Sequence, residues 1–225
     1  MASQRAPAPV REPSARPLHH SWIANREREG RAGARDVVDP ATGEPFAAVS
    51  LLDEAQAGDA VAAARAAFDG WRALGFAERG RLLLRLRERI LDDGEALSEL
   101  IHREQGKPAA EAHVADVLTS LDALKHMALH AEDALRGAAM ESGIALLAHK
   151  DARIAYEPLG AVLVITPWNY PFSISMTGIA PALAAGNTVV LKPAPATFLV
   201  GLRIGAYARD AGFPDGVVNL SLIHI

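Results

Sequence analysis

The chain has no cysteine among its 225 residues. Within this chain, that absence excludes disulfide bonds, metal sites with cysteine ligands and a cysteine nucleophile. A composition without cysteine also fits a reducing compartment, and we expect the protein to be cytoplasmic.

Features of nucleic-acid-binding and membrane proteins are missing as well. The formal net charge is −4, so no excess of basic residues attracts nucleic acid or an anionic membrane surface. Charged or polar residues interrupt every helical segment, and no apolar stretch is long enough to cross a bilayer. His126 and His130 lie four residues apart and could face one metal ion, but no third ligand accompanies them. We therefore predict no nucleic-acid partner, no membrane partner and no metal site.

Large apolar residues are scarce in residues 1–35, where Pro7, Pro9, Pro13 and Pro17 are scattered among arginines and serines. We predict a flexible tail over this range. A transit peptide would share the arginines and the shortage of acidic residues, but the prolines oppose the amphipathic helix that such a peptide needs.

Residues 36–143 are predicted to form a helical region that follows two short strands. Turn-forming residues at 39–43 should join strands at 37–38 and 46–49. Apolar residues then recur at helical spacing. The predicted helices are 59–68, with Asp59 as the N-cap, 77–91, 95–104 and 109–136.

Residues 144–157 are predicted to form an arm of two short antiparallel strands, at 144–148 and 152–156. An exposed hairpin of this kind suits the pairing of subunits, although it could equally lie flat on its own domain.

Residues 158–219 are predicted to form a β-α-β-α-β unit. Apolar runs at 161–165, 188–191 and 217–219 suit strands buried on both faces, and helices are predicted at 173–185 and 197–211. Such a unit requires right-handed crossovers and a mostly parallel sheet. The predicted fold class is therefore α/β.

Polar side chains follow two of these strands, at the sheet edge where open α/β proteins bind ligands. Asn169 lies between two aromatic residues and two prolines that would hold it rigidly, so its carboxamide could donate to an oxyanion. The alternative is an asparagine that only ties the turn together. Lys192 could hydrogen-bond a ribose or a phosphate, or it could remain solvated. No G-x-G-x-x-G segment is present, so the residues alone predict a nucleotide-sized site without a defined reaction.

Several segments resemble the signature sequences of the NAD(P)-dependent aldehyde dehydrogenase superfamily, over a region from about Asp36 to Asn219. The segments are Asp39-Pro-Ala-Thr-Gly-Glu44, residues 60–71, Glu104-Gln-Gly-Lys-Pro108, Glu157-Pro-Leu-Gly160, Thr166-Pro-Trp-Asn-Tyr-Pro171 and residues 181–193. The resemblance implies a Rossmann-like parallel sheet with flanking helices, which this chain would mostly supply. It also implies a separate catalytic domain and an oligomerisation domain that begins at the β-hairpin arm.

Members of this superfamily oxidise aldehydes to carboxylic acids with NAD or NADP. A cysteine attacks the aldehyde, the thiohemiacetal gives hydride to the nicotinamide, and a water activated by glutamate releases the acid. By resemblance Asn169 is catalytic, because it matches the asparagine whose amide holds the oxyanion, and Lys192 matches the lysine that binds the adenosine ribose. The implied cofactor-binding positions are Ile165, Thr166, Pro167, Trp168, Asn169, Lys192, Pro193, Ala194 and Pro195.

Two departures from the family pattern matter. Many NAD-preferring members have a glutamate where this chain has Pro195, and a proline neither binds the ribose hydroxyls nor repels a 2′-phosphate, so NAD and NADP are both admissible. Residues 220–225 bear no likeness to the family's continuation, and the catalytic cysteine and glutamate are missing. We therefore expect an inactive fragment of an enzyme that is a homodimer or homotetramer at full length.

Substrate and function class leave alternatives open at this point. Residues 104–112 resemble the succinate-semialdehyde branch of the superfamily. A non-catalytic dinucleotide-binding module is one alternative to the enzyme. A structural oligomerisation protein, which would use the arm and have no affinity for dinucleotides, is the other.

Overall fold

The structure of the protein is a computed structural model that describes residues 16–140, 143 and 149–223. Its strands are β1 (Leu18–His19), β2 (Ser21–Ile23), β3 (Arg26–Arg28), β4 (Ala34–Val38), β5 (Pro45–Ser50), β6 (Ala138–Met140), β7 (Ala152–Ile154), β8 (Ala161–Ile165), β9 (Thr188–Lys192) and β10 (Val218–Leu220). Its α-helices are α1 (Glu54–Ala73), α2 (Phe76–Asp92), α3 (Gly94–Gln105), α4 (Ala109–Ala112), α5 (Thr119–Ala134), α6 (Ser173–Ala184) and α7 (Phe198–Asp210). A π-helical turn, His113–Leu118, joins α4 to α5. None of the helices in the described ranges is both long and apolar enough to cross a membrane.

A parallel sheet of three strands confirms the predicted β-α-β-α-β unit. Strand β9 lies between β8 and β10, and α6 and α7 make the two connections. Helices α1 and α6 both pack against β9, whose side chains from Thr188 to Leu191 are buried. Burial on both faces explains why this strand is a continuous apolar run. The α/β fold class is therefore confirmed.

The predicted flexible tail is wrong for residues 16–35. Strand β1 pairs in parallel with β5, and β2 and β3 form an antiparallel hairpin. Trp22 in this hairpin is only 9% exposed, and the Arg209 guanidinium lies 4.7 Å from its ring centroid. The buried tryptophan and the pairing with a distant strand help to order a segment that is otherwise rich in arginine. Residues 1–15 lie outside the described residues.

Two of the predicted helices have different limits in the structure. Helix α1 begins at Glu54, not near Asp59, because Asp53 forms a capping box: its carboxylate accepts from the Gln56 N–H at 2.8 Å. The predicted helix 109–136 is divided by the π-helical turn. The predictions 77–91 and 95–104 are confirmed as α2 and α3, with small shifts in their ends.

The arm differs in its pairing from the predicted hairpin. Strand β7 lies within the predicted strand 152–156, and it pairs antiparallel with β6, which the sequence did not indicate. The predicted strand 144–148 lies outside the described residues. Both β6 and β7 are exposed.

The prediction of an atypical tail at 220–225 is wrong for residues 220–222. Leu220 completes β10, and Leu222 is fully buried. The Leu222 N–H donates to Ser21 Oγ at 3.1 Å, and its carbonyl accepts from the Leu52 N–H at 3.0 Å. These contacts make the three residues part of the core, between the N-terminal hairpin and α1. Residues 224–225 lie outside the described residues.

Candidate functional site

The carboxyl ends of β8 and β9 lie side by side. Ile165 is the register partner of Lys192, and the Thr166 N–H donates to the Lys192 carbonyl at 3.2 Å. The loop that follows β8 and the loop that follows β9 therefore leave the sheet at one edge, where ligands bind in open α/β folds. This pairing brings Ile165, Thr166 and Lys192 together, as the sequence predicted.

The loop after β8 is hydrogen-bonded to α6 through a buried threonine, and the residues that follow this threonine are exposed. Thr166 is buried, with its hydroxyl 3.0 Å from the Ser175 hydroxyl, and Ser175 also donates to the Pro171 carbonyl at 2.6 Å. Pro167, Trp168 and Asn169 are exposed, with Trp168 at 58%. Fastening by Thr166 and Ser175 ties the loop to the first turn of α6 while its next residues face solvent.

Asn169 is held through its main chain and not through its side chain. Its carbonyl accepts hydrogen bonds from Gln105 Nε2 and Lys107 Nζ, each at 2.8 Å. Its carboxamide makes no hydrogen bond to any residue in the described part of the chain. The amide donors are therefore available to a ligand, and the turn is tied by other groups.

Lys107 and Asp116 are residues of this site that sequence reasoning missed. Lys107 Nζ lies 2.7 Å from Asp116 Oδ2, and the two side chains are 7% and 0% exposed. Asp116 Oδ1 accepts from the N–H groups of Phe172 and Ser173, at 3.1 and 3.0 Å, at the start of α6. In the sequence the Glu104–Pro108 segment is only a family signature, because no local pattern connects it to a loop more than fifty residues away.

The loop after β9 is packed rather than clamped by charge. Pro193 lies against Gly201 of α7, where an added β-carbon would sit 2.6 Å from the Pro193 ring. Pro193 and Ala194 are buried, whereas Lys192 and Pro195 are partly exposed. Burial lowers the pKa of the Lys192 ammonium, whose contact is the Pro193 carbonyl at 3.4 Å. Lys192 and Pro195 are thus the accessible members of this predicted group.

A buried glutamate holds the next helix. Glu104 accepts from the N–H groups of Leu199 and Val200, at 2.8 and 2.9 Å, in the first turn of α7. Burial raises the pKa of Glu104 to about 8, against the opposing effect of the two N–H donors. No local pattern predicts this contact, since Glu104 is one acidic residue among several on α3.

The predicted pair His126 and His130 lies on α5 with ring centroids 4.8 Å apart. Within the described ranges, no group of three potential metal ligands includes them.

A parallel sheet flanked by helices, with a polar loop and a lysine at its carboxyl edge, defines an α/β protein of the Rossmann-like class. Residues 27–222 match the family described as "Aldehyde dehydrogenase family", and the chain belongs to that family. The match begins before Asp36 and ends after Asn219, in agreement with the ordered hairpin and the buried Leu222.

Curated relatives are similar over most of this chain. The betaine aldehyde dehydrogenase of Vibrio vulnificus (strain CMCP6) is 38% identical over 183 residues, which are 81% of this chain and 37% of the relative. An aldehyde dehydrogenase of Enchytraeus buchholzi is 38% identical over 186 residues, 81% of this chain and 36% of the relative. The chain therefore spans less than two fifths of the length of these relatives.

Solved structures share the fold. PnpE from Pseudomonas sp. WBC-3 is 36% identical with a TM-score of 0.83, covering 90% of this chain and 41% of PnpE. PnpE has also been solved in complex with nicotinamide adenine dinucleotide. An Escherichia coli NADP dependent enzyme is 30% identical with a TM-score of 0.86, covering 92% of this chain and 42% of that one.

Proposed function

We propose that this chain supplies the dinucleotide-binding part of an enzyme that oxidises an aldehyde to a carboxylic acid with NAD or NADP. The observation that carries the proposal is the pairing of Ile165 with Lys192, which brings the Asn169 loop and the lysine to one edge of the parallel sheet. Family membership supplies the reaction class, and the sheet edge supplies the place where the cofactor would lie.

Asn169 is the proposed catalytic residue of this chain. Its carboxamide would donate to the oxygen of the substrate carbonyl as that oxygen becomes negative, which stabilises the tetrahedral state. The support is geometric: the main chain at Asn169 is fixed by two hydrogen bonds, while the side chain is exposed. A donor held rigidly before the reaction is worth more than one that must reorganise.

The proposed cofactor site comprises the exposed loop after β8 and the partly exposed residues after β9. Lys192 would hydrogen-bond the adenosine ribose, and Thr166, Pro167 and Trp168 would line the channel for the nicotinamide half. Pro195 carries no carboxylate that would repel a 2′-phosphate, so both cofactors remain in the proposal. The PnpE complex with nicotinamide adenine dinucleotide and the NADP dependent enzyme of E. coli support one cofactor each.

The chain would not oxidise aldehydes by itself, because it contains no cysteine to act as nucleophile. In the complete enzyme that nucleophile and the glutamate base would come from outside residues 1–225. We further propose a cytoplasmic homodimer or homotetramer that pairs through the β6–β7 arm. Succinate semialdehyde is the proposed substrate on the resemblance of residues 104–112, while the Vibrio relative is named for betaine aldehyde.

Cofactor binding is tested on the chain itself by titration calorimetry with NAD and with NADP. We expect measurable affinity for at least one of them, and a weakening of about tenfold in Lys192→Ala, the cost of one charge-assisted hydrogen bond. Lys125→Ala, an exposed lysine on α5, is the matched control and should bind like the unaltered chain. A folded chain that binds neither dinucleotide would contradict the proposal and favour a structural oligomerisation protein.

Catalysis is tested in a chimera in which residues 27–222 replace the matching segment of the Vibrio enzyme. Asn169→Ala should lower kcat by about 100-fold to 1000-fold while the affinity for the cofactor changes little. Asn169→Asp keeps the size of the side chain but replaces the donor with an acceptor, and it should be equally impaired. Equal losses in kcat and in cofactor affinity would count against the oxyanion role. A chimera that binds cofactor but turns over no aldehyde would favour a non-catalytic dinucleotide-binding module.

A further inference from the structure

The Asn169 carbonyl is the meeting point of two side chains from the same short segment. Gln105 Nε2 and Lys107 Nζ both donate to it at 2.8 Å. Between them Gly106 has a φ of 82°, the left-handed conformation that ends α3 and turns the chain. This turn lets residues on both sides of the glycine face the same loop.

Lys107 is also half of a buried ion pair. Asp116, which lies in the π-helical turn, holds the lysine with one carboxylate oxygen and the start of α6 with the other. π-Helical turns of this kind occur frequently at functional sites. The carboxylate, the ammonium and the first N–H groups of α6 form one connected unit in which each charge is paired and hydrogen-bonded.

A single charged unit therefore fixes the second half of the loop, from Asn169 to the start of α6. Lys107 holds the carbonyl of Asn169, and Asp116 holds the N–H groups of Phe172 and Ser173. The Lys107 ammonium also lies 4.0 Å from the centroid of the Tyr170 ring, so it contacts the residue between these points. Because these contacts hold the main chain from Asn169 to the start of α6, they set the direction of the Asn169 Cα–Cβ bond, from which the carboxamide extends.

We propose that Lys107 and Asp116 are positioning residues, which act as a pair to aim the Asn169 carboxamide at the substrate oxygen. This inference rests on the proposed role of Asn169 and assigns the pair no contact with substrate or cofactor. A displacement of about 1 Å in such a group can lower the rate by about 100-fold, so losing the pair affects turnover and not only stability.

The first test uses the 225-residue chain and needs no activity. Trp168 adjoins Asn169 and is exposed, whereas Trp22 and Trp71 are buried, so fluorotryptophan labelling gives one ¹⁹F resonance at the loop and two in the core. Trp168→Phe assigns the loop resonance. In Lys107→Met this resonance should narrow and move towards the position of free fluorotryptophan, while the core resonances stay. An unchanged Trp168 resonance in a folded Lys107→Met chain would overturn the proposal.

Arg79→Met is the matched control. Arg79 is also a buried cation that hydrogen-bonds the main chain of α6, but it donates to the Ala184 carbonyl at the opposite end of the helix, at 3.0 Å. It should lose stability without moving the Trp168 resonance. If Lys107→Met does not fold, Gln105→Ala removes the other donor to Asn169 without stranding a buried charge, and it should move the same resonance in the same direction by less.

The second test uses kcat in the chimera described above. Lys107→Met and Asp116→Asn should each lower kcat by about 10-fold to 100-fold with the cofactor affinity within about twofold. In an Asn169→Ala background the same changes should have almost no further effect on kcat, because there is no carboxamide left to aim. Equal losses in both backgrounds would mean a purely structural role and would overturn the proposal. If Asn169→Ala alone did not lower kcat, the oxyanion role would be refuted instead. The ¹⁹F experiment would then still test whether Lys107 and Asp116 hold the loop.

Discussion

Helices α6 and α7 follow strands β8 and β9, and each is held at its N-terminus by a buried carboxyl group from a segment earlier in the chain. Asp116 caps α6 and is paired with Lys107. Glu104 caps α7 through two N–H groups, and no ion pair joins it to a lysine or arginine in the described ranges. The two caps therefore share their hydrogen-bond geometry, but only Asp116 has a counter-ion.

The difference shows what a lysine adds to a buried cap. An ionised carboxylate is costly in an apolar site, and without a cation the protonated form becomes competitive, which is why the pKa of Glu104 rises to about 8. The counter-ion at Asp116 offsets part of that cost and provides a further donor, which reaches Asn169. The start of α6 is thus held by the same ion pair as the Asn169 loop. The stability that Glu104 contributes at the start of α7 depends on pH.

Breaking the paired cap should have the largest effect. Asp116→Ala leaves the Lys107 ammonium buried without a counter-ion and leaves two N–H groups without an acceptor. The free energy of unfolding should fall by about 3–5 kcal/mol, measured by urea unfolding at neutral pH. Asp59→Ala, an exposed aspartate within α1, is the control and should change it by less than about 0.5 kcal/mol. If Asp116→Ala and Asp59→Ala lowered the free energy of unfolding by similar amounts, the buried ion pair would not be the source of the effect.

Altering the unpaired cap should have a smaller effect that depends on pH. Glu104 titrates near 4.5 when unfolded and near 8 when folded, so between these values the folded chain holds a proton that the unfolded chain has lost. The free energy of unfolding should therefore fall by about 2–4 kcal/mol as the pH rises from about 5 to 8, at roughly 1.4 kcal/mol per pKa unit. Urea titrations across this range should find that fall missing in Glu104→Gln. If the free energy of unfolding changed with pH in the same way in the unaltered chain and in Glu104→Gln, Glu104 would not be the cause of the fall.

Removing a third cap, which is partly exposed, should have the smallest effect of the three. Asp53 caps α1 at the surface; the hydrogen bond from the Gln56 N–H, with help from Arg31, lowers the pKa of Asp53. Its contribution is present above the unfolded pKa and is lost as the pH falls through the lower, folded value. Asp53→Ala should lower the urea midpoint at neutral pH by less than Asp116→Ala, with Asp53→Asn between it and the unaltered chain. If Asp53→Ala lowered the urea midpoint by more than Asp116→Ala, the predicted order of the caps would be wrong.

The parallel core was predictable because its signals are local. The apolar runs at 161–165 and 188–191 carry their own strand character, and glycines at 186 and 212 end the helix that follows each run. The N-terminal strands were not, because β1 pairs with β5 some thirty residues later, and two- or three-residue strands have no periodicity. Helix α1 starts before the predicted N-cap Asp59 because Asp53, also an aspartate, forms a capping box with Gln56.

The candidate site was predictable only where its residues follow strands directly. Asn169 and Lys192 lie just after or at the end of β8 and β9, so the general rule for strand ends finds them. Lys107 and Asp116 reach the loop through tertiary packing, from the connection between α3 and α4 and from the π-helical turn. An acidic or basic residue on a helix is usually solvated, and burial becomes visible only when the neighbouring elements are in place.

Strand β8 pairs with β9 on one side, and on its other side no strand of the described residues adjoins it. Its side chains Leu163 and Ile165 are 58% and 59% exposed. Unpaired main-chain groups beside apolar side chains form a template for another extended segment. We therefore expect the isolated chain to self-associate and precipitate through this edge in concentrated solution, and a segment that completes the sheet there to keep it in solution.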